Sequence, residues 1–132
     1  MAAVKWANDL VLDGGLTFMK NNITKMVLIG AQPAVPPVYA TVYATALAEV
    51  ALTPTDLTIG GGGGLAARTL TVAAGKSSTA TASSTASPEL HLMFVDSSNN
   101  VLWITDETSN QTIYSGNTIN FPAPVYTSNL PV

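Results

Sequence analysis

The chain contains no cysteine. A disulfide framework and a thiolate metal site are therefore both excluded. It has one histidine, His91, so a histidine-rich metal centre is excluded too. Charge is scarce: Asp, Glu, Lys and Arg make up 10% of the 132 residues, where about 25% is usual. The net charge is -3, and the basic residues Lys5, Lys20, Lys25, Arg68 and Lys76 are scattered along the chain. No basic stripe can neutralise a run of phosphates, so direct binding of nucleic acid is not expected. No stretch reaches the roughly 18 uninterrupted apolar residues of a membrane span. The opening MAAVKWANDL carries no continuous apolar segment with a cleavage pattern after it. The chain reads as soluble and non-secreted.

What replaces charge is Thr, Ser, Asn and Ala, beside a hydrophobic fraction of 47%. At this length one domain with a real core is expected. A surface so poor in charge fits a protein lying against others, because charged residues are depleted at interface centres. It fits an ordinary Ser/Thr-rich β domain equally well.

Hydrophobic spacing predicts a helix over 8–22. Leu12, Leu16, Met19 and Ile23 fall on one face, Val11 and Phe18 widen it, and Asn8 or Asp9 caps the start. Gly14 and Gly15 weaken this helix by about 1 kcal/mol each relative to Ala. The apolar run 24–30 reads as a buried strand. Pro33, Pro36 and Pro37 then bar regular pairing and predict an extended arm or loop over 31–38. Residues 39–52 mix helical spacing of Tyr39 and Tyr43 with strand-like Thr and Val content, and are read as loop plus strand.

From there the pattern is β. Strands are expected at 56–59 and 67–74, and the small polar stretch 76–87 is a further candidate. ELHLMFVD (89–96) is apolar on both faces and is therefore placed centrally. With the SSNN turn and VLWITDE (101–107) it forms a predicted hairpin. Two more short strands are expected about Ser115-Gly116-Asn117, with Pro122 and Pro124 at an edge or exit. The sum is a mainly β, single-domain, jelly-roll-like β-sandwich with an N-terminal helix. Its segments are an N-terminal segment and helix over 1–23, a β body over 24–126 and a C-terminal tail over 127–132.

Catalytic motifs are then tested against spacing. Five consecutive glycines, 60–64, invite a phosphate-loop reading. The dinucleotide fingerprint needs glycines at its first, third and sixth positions, and the P-loop needs Lys followed by Ser or Thr. Leu65 and Ala66 occupy the places where those residues would stand, so neither motif is present. The run reads as a mobile connection between strands. A Ser-His-Asp triad would need His91 as its base, and nothing else completes the arrangement. Asp106 and Glu107 are the pair a hard cation would take, yet no EF-hand spacing supports them, and solvated turn residues are the favoured reading for them and for Asp96. No enzyme activity and no cofactor are expected. Trp103 reads as core. Trp6, in a terminal segment, reads as docking onto the protein's own body or onto a neighbour.

The order of segments resembles a known family. WANDLVLDGGLTFMKNNITKMVLIGAQP (6–33), ALTPTDLTIGGGGGLAARTLTVAA (51–74), LHLMFVDSSNNVLWIT (90–105) and YSGNTINFPAPVY (114–126) are similar to the head decoration, or cement, proteins of tailed phages. The pieces cover most of the chain. The long glycine run departs from the shorter loop expected there. The resemblance implies a β-rich, often jelly-roll-like virion protein on the outer surface of a capsid shell built from an HK97-like phage major capsid protein. It would be made in the host cytoplasm, and a homo-dimer or homo-trimer would suit the lattice. The expected contact segments are the helix with 1–10, the arm 31–38 and the stretch 122–132. Their candidate partner-binding residues are Trp6, Leu12, Phe18, Pro33, Pro36, Pro37, Tyr39, Pro122, Pro124 and Tyr126. Two other readings stay open: a head–tail connector or tail component, and a carbohydrate-binding β-sandwich using Trp6, Tyr39 or Tyr43 as a stacking platform.

Overall fold

The computed structural model describes residues 9–61, 67–107 and 109–129. Helix α1 (Asp9–Asn22) leads into β1 (Lys25–Ile29), the short helix α2 (Tyr39–Tyr43) and β2 (Ala46–Ala51). A 3-10 turn (Pro54–Asp56) opens β3 (Leu57–Gly61), and β4 (Arg68–Val72), β5 (Ser77–Thr79), β6 (His91–Val95), β7 (Val101–Asp106), β8 (Thr118–Asn120) and β9 (Val125–Ser128) follow. The protein is mainly β, a sandwich of antiparallel sheets with an N-terminal helix, as the sequence predicts.

The described residues form three sheets. One has the order β2-β1-β6-β7, a second β3-β4-β9, and a third pairs β5 with β8. The central strands β1 and β6 are the apolar runs that the sequence marks, the first as a buried strand and the second as apolar on both faces, and both are buried on both faces. Period-two alternation explains how one strand serves two cores. Met26, Leu28, Leu92 and Phe94 face the main core, and Val27, Ile29, Met93 and Val95 face the other side.

The main core joins that inner face to Leu57, Leu70 and Val72 of the three-stranded sheet and to Ile113, Ile119 and Phe121. Helix α1 packs against β3, β4 and β9 and contributes Leu16, Met19 and Ile23. Three of the four stripe residues predicted from spacing are thus in the core; the side chain of the fourth, Leu12, lies outside the described residues. The helix is pinned at Asp13 and at Lys20. Arg68 on β4 donates to both Asp13 carboxylate oxygens, at 2.8 and 3.1 Å. Lys20 Nζ donates to the carbonyls of Pro54 and Leu57, at 2.6 and 2.5 Å.

The outer face of the four-stranded sheet is where expectation and structure part. Residues 39–43 are helical rather than loop. Tyr39 and Tyr43, four apart, stack at 5.1 Å, and Val42 beneath them is buried against Val27 and Met93. A single turn too short to persist alone is held by this apolar surface.

Three β expectations are also corrected. In 76–87 only Ser77–Thr79 pairs; Ala80 turns inward instead, and Thr81 and Ser84 bond through their backbone N–H groups to the Leu47 and Ile113 carbonyls. Before the Ser115-Gly116 turn, residues 111–114 are irregular, and β8 pairs with β5 rather than with its own preceding leg. Thr127 and Ser128, placed with the tail, extend β9. Gly60 and Gly61 belong to β3, opposite Thr69 and Arg68. The rest of the glycine run lies outside the described residues.

Candidate interaction surface

The predicted contact residues divide between two parts of the molecule. Trp6 lies outside the described residues, as does the side chain of Leu12. On α1, Phe18 is 53% exposed, pointing away from the stripe that Leu16 and Met19 bury. Tyr126 on β9 meets Trp103 edge-on at 5.4 Å, and Trp103 stacks on Phe94 at 4.4 Å. Trp103 itself is half-buried against the main core. Pro122 is exposed; Pro124 is half-buried, its carbonyl accepting from Val72 N–H. Val125, beside Tyr126, is half-exposed.

The arm belongs to the other part. Pro33 and Pro37 are half-buried and Pro36 is exposed, with a cis peptide before Pro36. Val35 and Val38 of the same arm are 84% and 63% exposed. Sequence reasoning named the prolines and passed over these valines. The signal was present, because an apolar residue between prolines has no strand in which to be buried. Val35 and Pro37 line an open groove of about 270 Å³ with Val101, Leu102, Trp103 and Ile104 of β7.

Tyr39 is tied into a charged cluster on the outer face. Lys25 Nζ donates to Tyr39 Oη at 3.0 Å, lies 3.2 Å from Glu49 and stands over both the Tyr39 and Tyr43 rings. Tyr43 Oη donates to Glu49 at 2.9 Å. Burial alone would push the Lys25 pKa down, but the hydrogen bonds to Tyr39 and Glu49, with the Glu49 charge, hold it above the ordinary lysine value. The bond to Glu49, then burial, raises the Tyr43 phenol. The two rings stack on one another and carry an ammonium, so they are not a bare platform for a sugar.

A polar hollow of about 510 Å³ surrounds His91 and is lined by Gln32, Glu89, Leu90, Asp106, Glu107 and Asn110. His91 Nε2 lies 3.1 Å from Asp106, and Nδ1 lies 3.1 Å from the Glu89 carbonyl. Each ring nitrogen faces an acceptor, and the neutral imidazole, with one N–H, can donate to one of them. The Ser109 hydroxyl donates to Glu107, at 2.5 Å. Asp96 closes the β6–β7 turn, accepting from the Ser98 and Asn100 N–H groups, both at 2.9 Å. Among the described residues no group of three or more His, Asp or Glu is arranged to hold a metal ion. No helix among them is long and apolar enough to cross a membrane.

Compared with protein-family models, with curated proteins and with solved structures, the chain finds no match.

Proposed function

We propose that this is a structural virion protein, a decoration protein that binds the outer surface of an HK97-like phage capsid and bridges neighbouring capsomers. The observation that carries the reading is the distribution of exposed apolar side chains. Phe18, Val35, Val38, Tyr114, Val125 and Tyr126 protrude from a helix, an arm, a loop and an edge strand of a domain with 10% charged residues. Several separate apolar contacts suit a protein that touches more than one neighbour. The segment order that resembles cement proteins points the same way.

A protein that binds the assembled shell and not its dissociated parts stabilises the shell by mass action. Many copies on one lattice multiply a modest single-site affinity. No catalytic step enters this function, and replacement of His91 with alanine should leave it intact.

The test compares particles with and without the protein. Decorated shells should withstand heat and low ionic strength longer, with hundreds of copies per particle. A copy number of about one ring would instead support a connector role. Phe18→Ser, at an exposed position, should keep the fold and weaken attachment. Equal endurance of bare and decorated shells would sink the cementing reading.

A further inference from the structure

We infer that the free edge of β7 is a self-pairing surface, through which two copies of this chain join their four-stranded sheets into one antiparallel sheet. The starting point is the shape of the groove beside it. Val101, Leu102, Trp103 and Ile104 are consecutive, and all four line it. Successive residues of a strand point to opposite faces. A groove that touches all of them therefore runs along the edge of the strand and not over one face. Its far wall is the arm, through Val35 and Pro37. The space has the form of a missing strand.

Among the described residues the edge is unoccupied. Within its sheet, β7 pairs with β6 alone. Among the described residues, no backbone hydrogen bond beyond the β6–β7 ladder involves residues 101–106. The opposite edge, β2, is covered: Thr81 N–H donates to the Leu47 carbonyl at 2.8 Å. Exposed edges are ordinarily blunted by lysine, proline or an inward charge. VLWITD carries none along its length and ends in a single Asp106; its one irregularity is a bulge at the start, where Leu102 is left without a partner on β6. Proline, which would blunt this edge, stands instead in the arm that walls the groove.

Charge selects the occupant. Among the described residues none that lines the groove is charged, so neither an acidic nor a basic segment gains anything there, and a charged one would lose its hydration. An uncharged strand fits, and β7 of a second copy is such a strand. Direction follows from the one charge. Paired parallel, two Asp106 carboxylates would lie side by side and repel. Paired antiparallel about the strand centre, they stand about five residues apart, or about 17 Å, beyond the roughly 8 Å screening length at physiological salt. Such a contact is isologous and closes as a dimer. The exposed Val35 flanks the incoming strand and loses its water with it. This inference sharpens the oligomer expected of a lattice protein, and it is tested apart from any particle.

The absence of native cysteine makes the experiment clean. Chains carrying Leu102→Cys are mixed with chains carrying Thr105→Cys, the two positions being opposed when β7 pairs about its centre, with Val125→Cys and Ser97→Cys as controls, and the purified full chains are oxidised. Directly opposed strand residues have Cα separations within disulfide range. Disulfide-linked dimers should form between the Leu102→Cys and Thr105→Cys chains and at neither control. Light scattering of the parent chain should show a concentration-dependent dimer. Val35→Asp, tolerated by the fold because the residue is exposed, should raise the dimer dissociation constant at least tenfold. A parent chain that stays monomeric overturns the inference. So does an oligomer that cross-links at the controls and not at β7, although a lattice oligomer would survive that result. A Val4→Cys, Ile104→Cys chain that closes an internal disulfide as a monomer would assign the groove to the chain's own first segment and also overturn it. A β7 dimer that fails to bind shells would leave this inference standing and remove the virion reading.

Discussion

Replacing Tyr126 with leucine tests how the two larger sheets are tied together. Among the described residues no strand pairing joins the β2-β1-β6-β7 sheet to the β3-β4-β9 sheet. Three rings cross between them: Phe94 stacks on Trp103 with planes 13° apart, and Tyr126 meets Trp103 at 84°. Tyr126 is 39% exposed, so leucine forfeits little buried area. The loss is chiefly the edge-to-face contact, about 0.5–1.5 kcal/mol. A cost near 1 kcal/mol lowers the folding equilibrium about fivefold. Trp103→Leu should cost more, about 2–4 kcal/mol, because it also removes the stack on Phe94 and packing against the main core. Urea denaturation of the two single variants and the double variant gives a coupling energy, expected at about 0.5–1.5 kcal/mol. Coupling within error of zero would refute the view that the ring chain holds the sheets together.

Two further outcomes are expected. Gly61 has φ +74°, and a Cβ there would stand 3.2 Å from the Ala67 carbonyl, whereas Gly60 has nothing within 4 Å. Gly61→Ala should therefore destabilise by about 1–2 kcal/mol, while Gly60→Ala should be neutral or slightly stabilising; equal thermal shifts would contradict this. Asp56 is held below the ordinary carboxylate range by the hydrogen bond from Lys76 and then by the Thr53 N–H; Asp96 is held there by the Asn100 side chain and then its N–H. A depressed folded-state pKa adds stability at neutral pH that is lost as pH falls through the folded value. Melting temperature should drop below about pH 4, and Asp56→Asn should flatten that drop. An unchanged acid limb would remove Asp56 from the account.

Much of the fold was legible in the chain because burial on two faces leaves a plain mark. Residues 26–29 and 92–95 are apolar at every position, and they lie in the two central strands, Lys25–Ile29 and His91–Val95. The turn at SSNN was legible because Asp96 and Asn100 are residues that bond to their own backbone, and Asn99 adopts φ 62°. The stripe of α1 was legible because its core residues keep helical spacing. Tyr39–Tyr43 was not, because five residues carry too little local preference to choose a helix. The partner of β8 was not either, since β5 lies about forty residues earlier and nothing in a three-residue strand specifies a distant register.

For the interaction surface the division is sharper. Composition alone set its character: few charges, no thiols, one histidine and no phosphate-binding spacing leave little besides apolar and hydroxyl contacts. It also placed prolines where pairing must stop. Which apolar residues would end up facing water was decided by the tertiary structure. Phe18 and Leu16 are both apolar residues of one helix, and only the seat of α1 on β3, β4 and β9 buries one and exposes the other. Val101–Asp106 reads from sequence as any hairpin strand. Its free edge exists because β6 took its other side and the arm, turned by Pro36 and Pro37, stopped short of pairing with it. Local chemistry dictates what a segment can bond to, and long-range packing decides which of those bonds are left unmade.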